Sequence, residues 1–210
     1  MKKAGILLAA LFLQVSCVQS QEKEVAEPHL VGGPCEGCEA ILEYGDQNLN
    51  AVDTLPEFEE AEKKLKVQGT IFQADGKTPA EGVVLYIHHT NTAGIYPTRG
   101  DETGWGRRHG YLRGWVKTGK DGKYTFYTQV PGTYPSRDAP AHIHPYILEP
   151  NGKYYWLGSY FFEDDPLLDA ETIDENHRGG SSGVVKLQKE ENYFVINRDF
   201  VLGKNIPDYD

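Results

Sequence analysis

From Val67 to Leu202 the chain repeatedly builds a short run of β-branched and aromatic residues and then breaks it on Gly, Pro, Asp-Gly or Asn-Gly. This rhythm constrains the fold most. Such runs are too short for core helices, and alternation within them suits strands with one buried face. VQGTIFQ (67–73), GVVLYIHHT (82–90), YLRGWVKT (111–118) and KYTFYTQV (123–130) form the first group. HIHPYILEP (142–150), KYYWLGSYFF (153–162) and ENYFVINRDFVL (191–202) follow. Asp121-Gly122 and Asn151-Gly152 predict hairpins, because Asp-Gly and Asn-Gly pairs accept the positive φ of tight two-residue turns. The expectation is an all-β, antiparallel β-sandwich with long loops. Residues 97–110 and 164–184 are the long polar loops, a length that in a compact domain marks function or mobility.

Residues 1–16 read as an export signal. Lys2 and Lys3 precede an apolar stretch, Ala4 to Leu13, too short to span a bilayer as a mature helix. Val15-Ser16-Cys17 then resembles the lipobox of bacterial lipoproteins, although the aliphatic residue comes one position early, at Leu13, with Gln14 after it. The expectation is a lipid on Cys17 and a protein anchored in the cell envelope, secreted if Cys17 is not lipidated. Residues 17–33 form a polar tether. Residues 34–65 form a short N-terminal arm with a weakly helical stretch at Pro56–Leu65, and residues 66–210 form the sandwich domain. The arm carries Cys35-Glu-Gly-Cys38 with no second CxxC to complete a zinc site, and no βαβ context for a redox motif. A local structural disulfide is the expected state outside the cytoplasm. The formal net charge of −10 argues against nucleic acid or an anionic membrane face as partner.

The chemistry concentrates in PGTYPSRDAPAHIHPYI and in NTAGIYP upstream. His142 and His144 share one face of a strand, because side chains there alternate with period two. Tyr134 lies eight residues before His142 across a Pro-rich turn, and Tyr96 offers a second phenol. Together they form a candidate metal site. Taken alone, a His-x-His pair also suits solvated edge histidines or hydrogen-bonded core ones.

The ordered strings Gly94-Ile95-Tyr96, DGKYTFYT, PGTYP and PAHIH resemble the iron-binding core of the intradiol ring-cleavage dioxygenases, the protocatechuate 3,4-dioxygenase group, over residues 66–166. That resemblance implies that Tyr96, Tyr134, His142 and His144 bind a non-haem Fe(III). Its substrates would be a small aromatic diol of the catechol type and O2, cleaved to a cis,cis-muconate-type product. Two phenolates are hard anionic donors suited to trivalent iron, whereas zinc favours His, Cys and carboxylate. By the same resemblance Tyr134 is the ligand that substrate displaces and Tyr96 the one retained. Two positions depart from the family pattern. An arginine expected before the PAHIH proline is Ala139 here, leaving Arg137 as the catalytic candidate. A glutamine expected on the next strand aligns with Ser159.

Other positions carry weaker signals. His88 and His89 must face opposite sides of a strand, as packing or supporting residues. Arg107, Arg108 and His109 form a basic cluster, either a solvated loop or a rim for an aromatic acid. Trp105, Tyr111 and Trp115 are core or pocket aromatics. A rival reading is a non-catalytic, prealbumin-like ligand-binding domain of the envelope, since GTIFQADGKTPAEGVVLYI resembles the opening strands of such modules. Oligomerisation is open on either reading.

Overall fold

The computed structural model describes residues 26–136, 138–170, 172–173 and 177–210. The export signal, Cys17, residues 18–25 of the tether and Arg137 lie outside the described residues. The strands are β1 (His29–Leu30), β2 (Val52–Thr54), β3 (Lys64–Phe72), β4 (Val84–His89), β5 (Arg113–Lys117), β6 (Lys123–Gln129) and β7 (His142–Leu148). They continue as β8 (Lys153–Trp156), β9 (Tyr160–Phe162), β10 (Val184–Val185), β11 (Gln188–Lys189), β12 (Phe194–Asn197) and β13 (Phe200–Val201). Two short helical turns accompany them, a 3₁₀ helix at Cys38–Leu42 and α1 at Gly106–His109.

These strands form a sandwich of two sheets. One runs β1-β8-β7-β4-β5, with β9 beside β7 and β10 beside β9; the other runs β11-β12-β3-β6-β2, with β13 beside β3. The long central pairs β3/β6, β4/β7 and β4/β5 are antiparallel, as alternation and short connections predict. The sheets as a whole are mixed. β1, β2, β10, β12 and β13 each join a partner in parallel, reached through connections long enough for a crossover.

Two local expectations change. Asn151-Gly152 does close a hairpin, with Leu148 opposite Tyr154. Asp121-Gly122 does not: β5 pairs with β4 in one sheet while β6 pairs with β3 in the other, so this turn carries the chain across the sandwich. Both β5 and β6 bury apolar residues, and each finds its hydrogen-bond partner in a different layer. The stretch from Pro56 is not helical either. Residues 56–60 are turns, Glu57 takes a φ of 64°, and β3 has begun by Lys64. A left-handed residue one position after a proline stops a right-handed helix before its first turn closes.

The main core lies between the sheets and includes Leu65, Val67, Leu85, Ile87, Val116, Phe126, Ile143 and Ile147. A second core covers the outer face of the first sheet. There the arm lays Cys38, Ala40 and Ile41 on Val84, Tyr86, Trp115, Tyr146 and Leu148. β4 is consequently buried on both faces. Cys35 and Cys38 are disulfide-bonded, with their Cα atoms 5.7 Å apart. Among the described residues no helix is long and apolar enough to cross a membrane.

Candidate metal centre

The centre lies on the outer face of the first sheet. Along β7, Ile143 and Ile147 point into the inter-sheet core, so His142, His144 and Tyr146 point the other way. In the antiparallel register His144 stands opposite His88, and Tyr146 opposite Tyr86. Asp165 helps to anchor the start of β7. Its carboxylate accepts the Ala141 N–H at 2.9 Å and the Leu167 N–H at 2.9 Å.

The two tyrosines come from loops that interlock. Asn91 O accepts N–H bonds from Gly94 at 3.0 Å and Gly132 at 2.8 Å, and the Asn91 side chain caps Ala93 and Ile95. Gly94, at φ 76°, lies so close to the other loop that a Cβ there would sit 1.8 Å from Thr133 O. That contact requires glycine. It seats Tyr96 beside Tyr134, and the Tyr111 N–H to Pro97 O bond at 2.9 Å ties down the chain beyond.

The four side chains then close a ring of contacts. The Tyr96 and Tyr134 oxygens are 2.8 Å apart, Tyr96 O is 3.1 Å from His144 Nε2, and Tyr134 O is 3.2 Å from His142 Nε2. The two Nε2 atoms are 3.0 Å apart. Donors each ~2 Å from a common point are separated by roughly 2.8–3.3 Å, so these spacings suit one shared ion. Proton counting agrees. The His142 Nδ1–H donates to Pro140 O at 2.7 Å, so the neutral ring presents a lone pair at Nε2. Two phenol protons and one on His144 Nε2 can satisfy three of the four contacts at most. At least one contact therefore sets lone pair against lone pair, which a cation would relieve.

Burial sets the protonation states. Desolvation pushes the His142 imidazole below its ordinary pKa, and desolvation followed by the neighbouring His142 pushes His144 well below. Both rings are neutral and have lone pairs for a metal. Desolvation, then the Tyr134 hydrogen bond, raises the Tyr96 phenol, which loses its proton at neutral pH only beside a strong cation. Among the described residues no three His, Cys, Asp or Glu side chains gather as a cage. The side chains that could donate to a metal at this point are two imidazoles and two phenols.

Behind the centre stands a column of imidazoles. His88 stacks on His144 at 4.6 Å and on His109 at 3.7 Å, with interplanar angles of 18° and 3°. His88 Nε2 lies 3.3 Å from Tyr146 Oη, and His109 Nδ1 lies 2.8 Å from Tyr86 Oη. A cavity of about 360 Å³ opens beside His144, lined also by Pro34, Glu36, Tyr146, Trp156 and Ser159. Its aromatic walls differ from those the sequence singled out. Trp115 is core, with Nε1–H donated to Ile41 O at 3.1 Å, Trp105 stacks on His109, and Tyr111 donates to Glu57. Period two on β7 marks Tyr146 as a face-mate of His144; Trp156 follows only from the β7/β8 register, which sets it opposite Tyr146.

The basic cluster disperses. Arg107 Nε donates to Glu102 O at 3.2 Å, Arg108 pairs with Glu36, and His109 is buried. Ser159 lines the cavity, and Ala139 O accepts from Thr133 Oγ1 at 3.2 Å.

In sequence and in fold the chain is similar to known dioxygenases. A family model described as a dioxygenase matches residues 43–193. Catechol 1,2-dioxygenase 1 of Acinetobacter lwoffii is 31% identical over 161 residues, 69% of this chain and 49% of that protein. The chain thus spans about half the length of this curated relative. A dioxygenase domain from a dioxygenase and carbohydrate-binding fusion of Streptomyces sp. SirexAA-E is 29% identical, with a TM-score of 0.52, over 67% of this chain and 79% of that one. Catechol 1,2-dioxygenase of Acinetobacter sp. ADP1, at 19% identity and TM-score 0.58, shares the fold over 89% of this chain and 62% of its own. By sequence and by fold, this chain belongs to the intradiol dioxygenase family.

Proposed function

We propose that this protein is a non-haem Fe(III) dioxygenase that opens a catechol-type ring between its two hydroxylated carbons, giving a cis,cis-muconate-type diacid. The convergence of Tyr96, Tyr134, His142 and His144 within 3.2 Å of their neighbours carries the reading. Bound ferric iron would supply the Lewis acidity that favours loss of the catechol protons, and the resulting catecholate is the electron-rich form that reacts with O2. The protein's part is to hold and to exchange protons. His142 is oriented by Pro140 O, and His144 is held between β7 and the His88 ring. Gly110 packs on the backbone of Tyr96 and Pro97, and Gly94 on that of Thr133 and Tyr134, so the two loops are pinned together. Tyr134 directly precedes the exposed Pro135-Ser136 turn, and by the family resemblance its phenol is the one that substrate would displace. Its oxygen is placed to take a catechol proton, general-base work by a group already at the site. Tyr146 and Trp156 bound the space beside His144 for the ring.

An oxygen-electrode screen across substituted catechols, with iron analysis and a visible spectrum of the purified protein, tests this. Oxygen uptake with a tyrosinate-to-iron colour is expected. A colourless, iron-free protein that consumes no oxygen would favour the non-catalytic, prealbumin-like ligand-binding alternative. We propose further that Cys17 holds the protein in the cell envelope by a lipid. Cys17→Ser should move it from the membrane to the soluble fraction, and an unchanged distribution would refute the anchor.

A further inference from the structure

The wall of the cavity opposite the sheet is made by Pro34 and by Cys35 and Glu36, the first half of the loop that the Cys35–Cys38 disulfide closes. This loop is held from three sides. Cys38 is fully buried with Ala40 and Ile41 in the outer core. Gly37, at φ 84°, lies against His109, where a Cβ would come within 2.7 Å of Nε2. Glu36 pairs with Arg108 of α1. A glutamate on an open tether would sample many positions; this one is presented at the cavity rim by a short covalent ring. Its partner Arg108 is one hydrogen bond from that rim, and neither charge is buried. Arg178, which stacks on the cavity residue Trp156, is committed to the carbonyls of Trp156 and Gly32.

We propose that Glu36 and Arg108 form a charge-selective rim that sorts catechols by their ring substituent. Glu36 lines the cavity, and the Arg108 guanidinium is tied to its carboxylate. A ring bearing its own carboxylate is repelled by Glu36, and the Arg108 guanidinium beside it is already paired with the Glu36 carboxylate. A neutral ring, or one with an ammonium arm, is admitted. This rests on the cavity beside His144 being the substrate site of the proposed dioxygenase. Because both side chains are largely solvated, screening limits the effect to about three- to tenfold in relative specificity.

The test compares catechol, 3,4-dihydroxybenzoate and an aminoethyl-substituted catechol with wild type, Glu36→Gln and Arg108→Gln. Specificity is read as ratios of kcat/KM in air, and as ratios of affinity by calorimetry on iron-loaded protein under nitrogen. Glu36→Gln frees Arg108, so the carboxylated-to-neutral ratio should rise about three- to tenfold. Arg108→Gln leaves Glu36 uncompensated, so the same ratio should fall and the ammonium-to-neutral ratio should rise. Both variants break the same ion pair. A merely structural role would therefore move the ratios in the same direction, and that result, or unmoved ratios, overturns the proposal. If none of the three catechols is cleaved in air while the binding ratios shift in opposite directions, the rim stands and the dioxygenase reading fails.

Discussion

The first sheet has two faces that use neighbouring residues of the same strands in opposite ways. Toward the second sheet β4 and β7 present Leu85, Ile87, His89, Ile143 and Ile147; toward the arm they present Tyr86, His88, His144 and Tyr146. The adjacent histidines of β4 make the contrast sharpest. His89 is fully satisfied, with Nδ1–H donated to Thr90 O at 2.7 Å and Nε2 2.7 Å from Thr128 Oγ1. His88 is buried with no hydrogen-bond partner on Nδ1, and is held by ring stacking instead. A buried polar atom without a partner costs stability. The inner face spends its residues on packing. The outer face tolerates that cost beside the cavity, where phenols and imidazoles crowd together.

Four substitutions would break or sharpen this contrast. The largest effect belongs to His144→Ala, which removes a proposed metal donor from the outer face. Iron content should fall below about a tenth of wild type and ring cleavage to background, while the thermal transition persists; elemental analysis alongside calorimetry checks both. Full iron occupancy in that variant would strike His144 from the donor set. Tyr134→Phe keeps the ring but loses the proton acceptor, so turnover should drop about 10²–10³-fold with a shifted visible band and an intact fold. An unchanged spectrum and rate would count against it. Ile147→Ala, next on the same sheet but facing inward, should cost about 2–5 kcal/mol of stability in denaturant titration. The folded fraction should still bind iron normally, and loss of iron from folded protein would show that the two faces are not separable. Tyr146→Phe removes only the 3.3 Å contact to His88. Its effect should be smallest, about 1 kcal/mol or less in stability and under tenfold in rate.

Much of this contrast could be read from residue order. Period two in HIHPYIL assigns His142, His144 and Tyr146 to one face and Ile143 and Ile147 to the other, and Gly-, Pro- and Asn-Gly punctuation marks the strand ends. Other features escaped because their signal is not local. Asp121-Gly122 has the chemistry of a hairpin, yet it spans the two sheets, since pairing depends on which strand each edge meets. The basic look of Arg107, Arg108 and His109 dissolves once Glu36, far away in the chain, and Tyr86 claim two of the three. Trp156 reaches the cavity through the register of β7 with β8.

Alternation, turn residues and the types of the four proposed donors belong to the linear chain, because each is fixed by residue identity and the geometry of a few consecutive peptide units. That Tyr96 and Tyr134 meet beside the two imidazoles does not. It depends on Gly94 admitting the Thr133 carbonyl at a distance no side chain permits, and on the disulfide-closed arm roofing the outer face. Contacts between segments this far apart arise only when the whole sandwich closes, since each loop is held by a neighbour that its own residues do not encode.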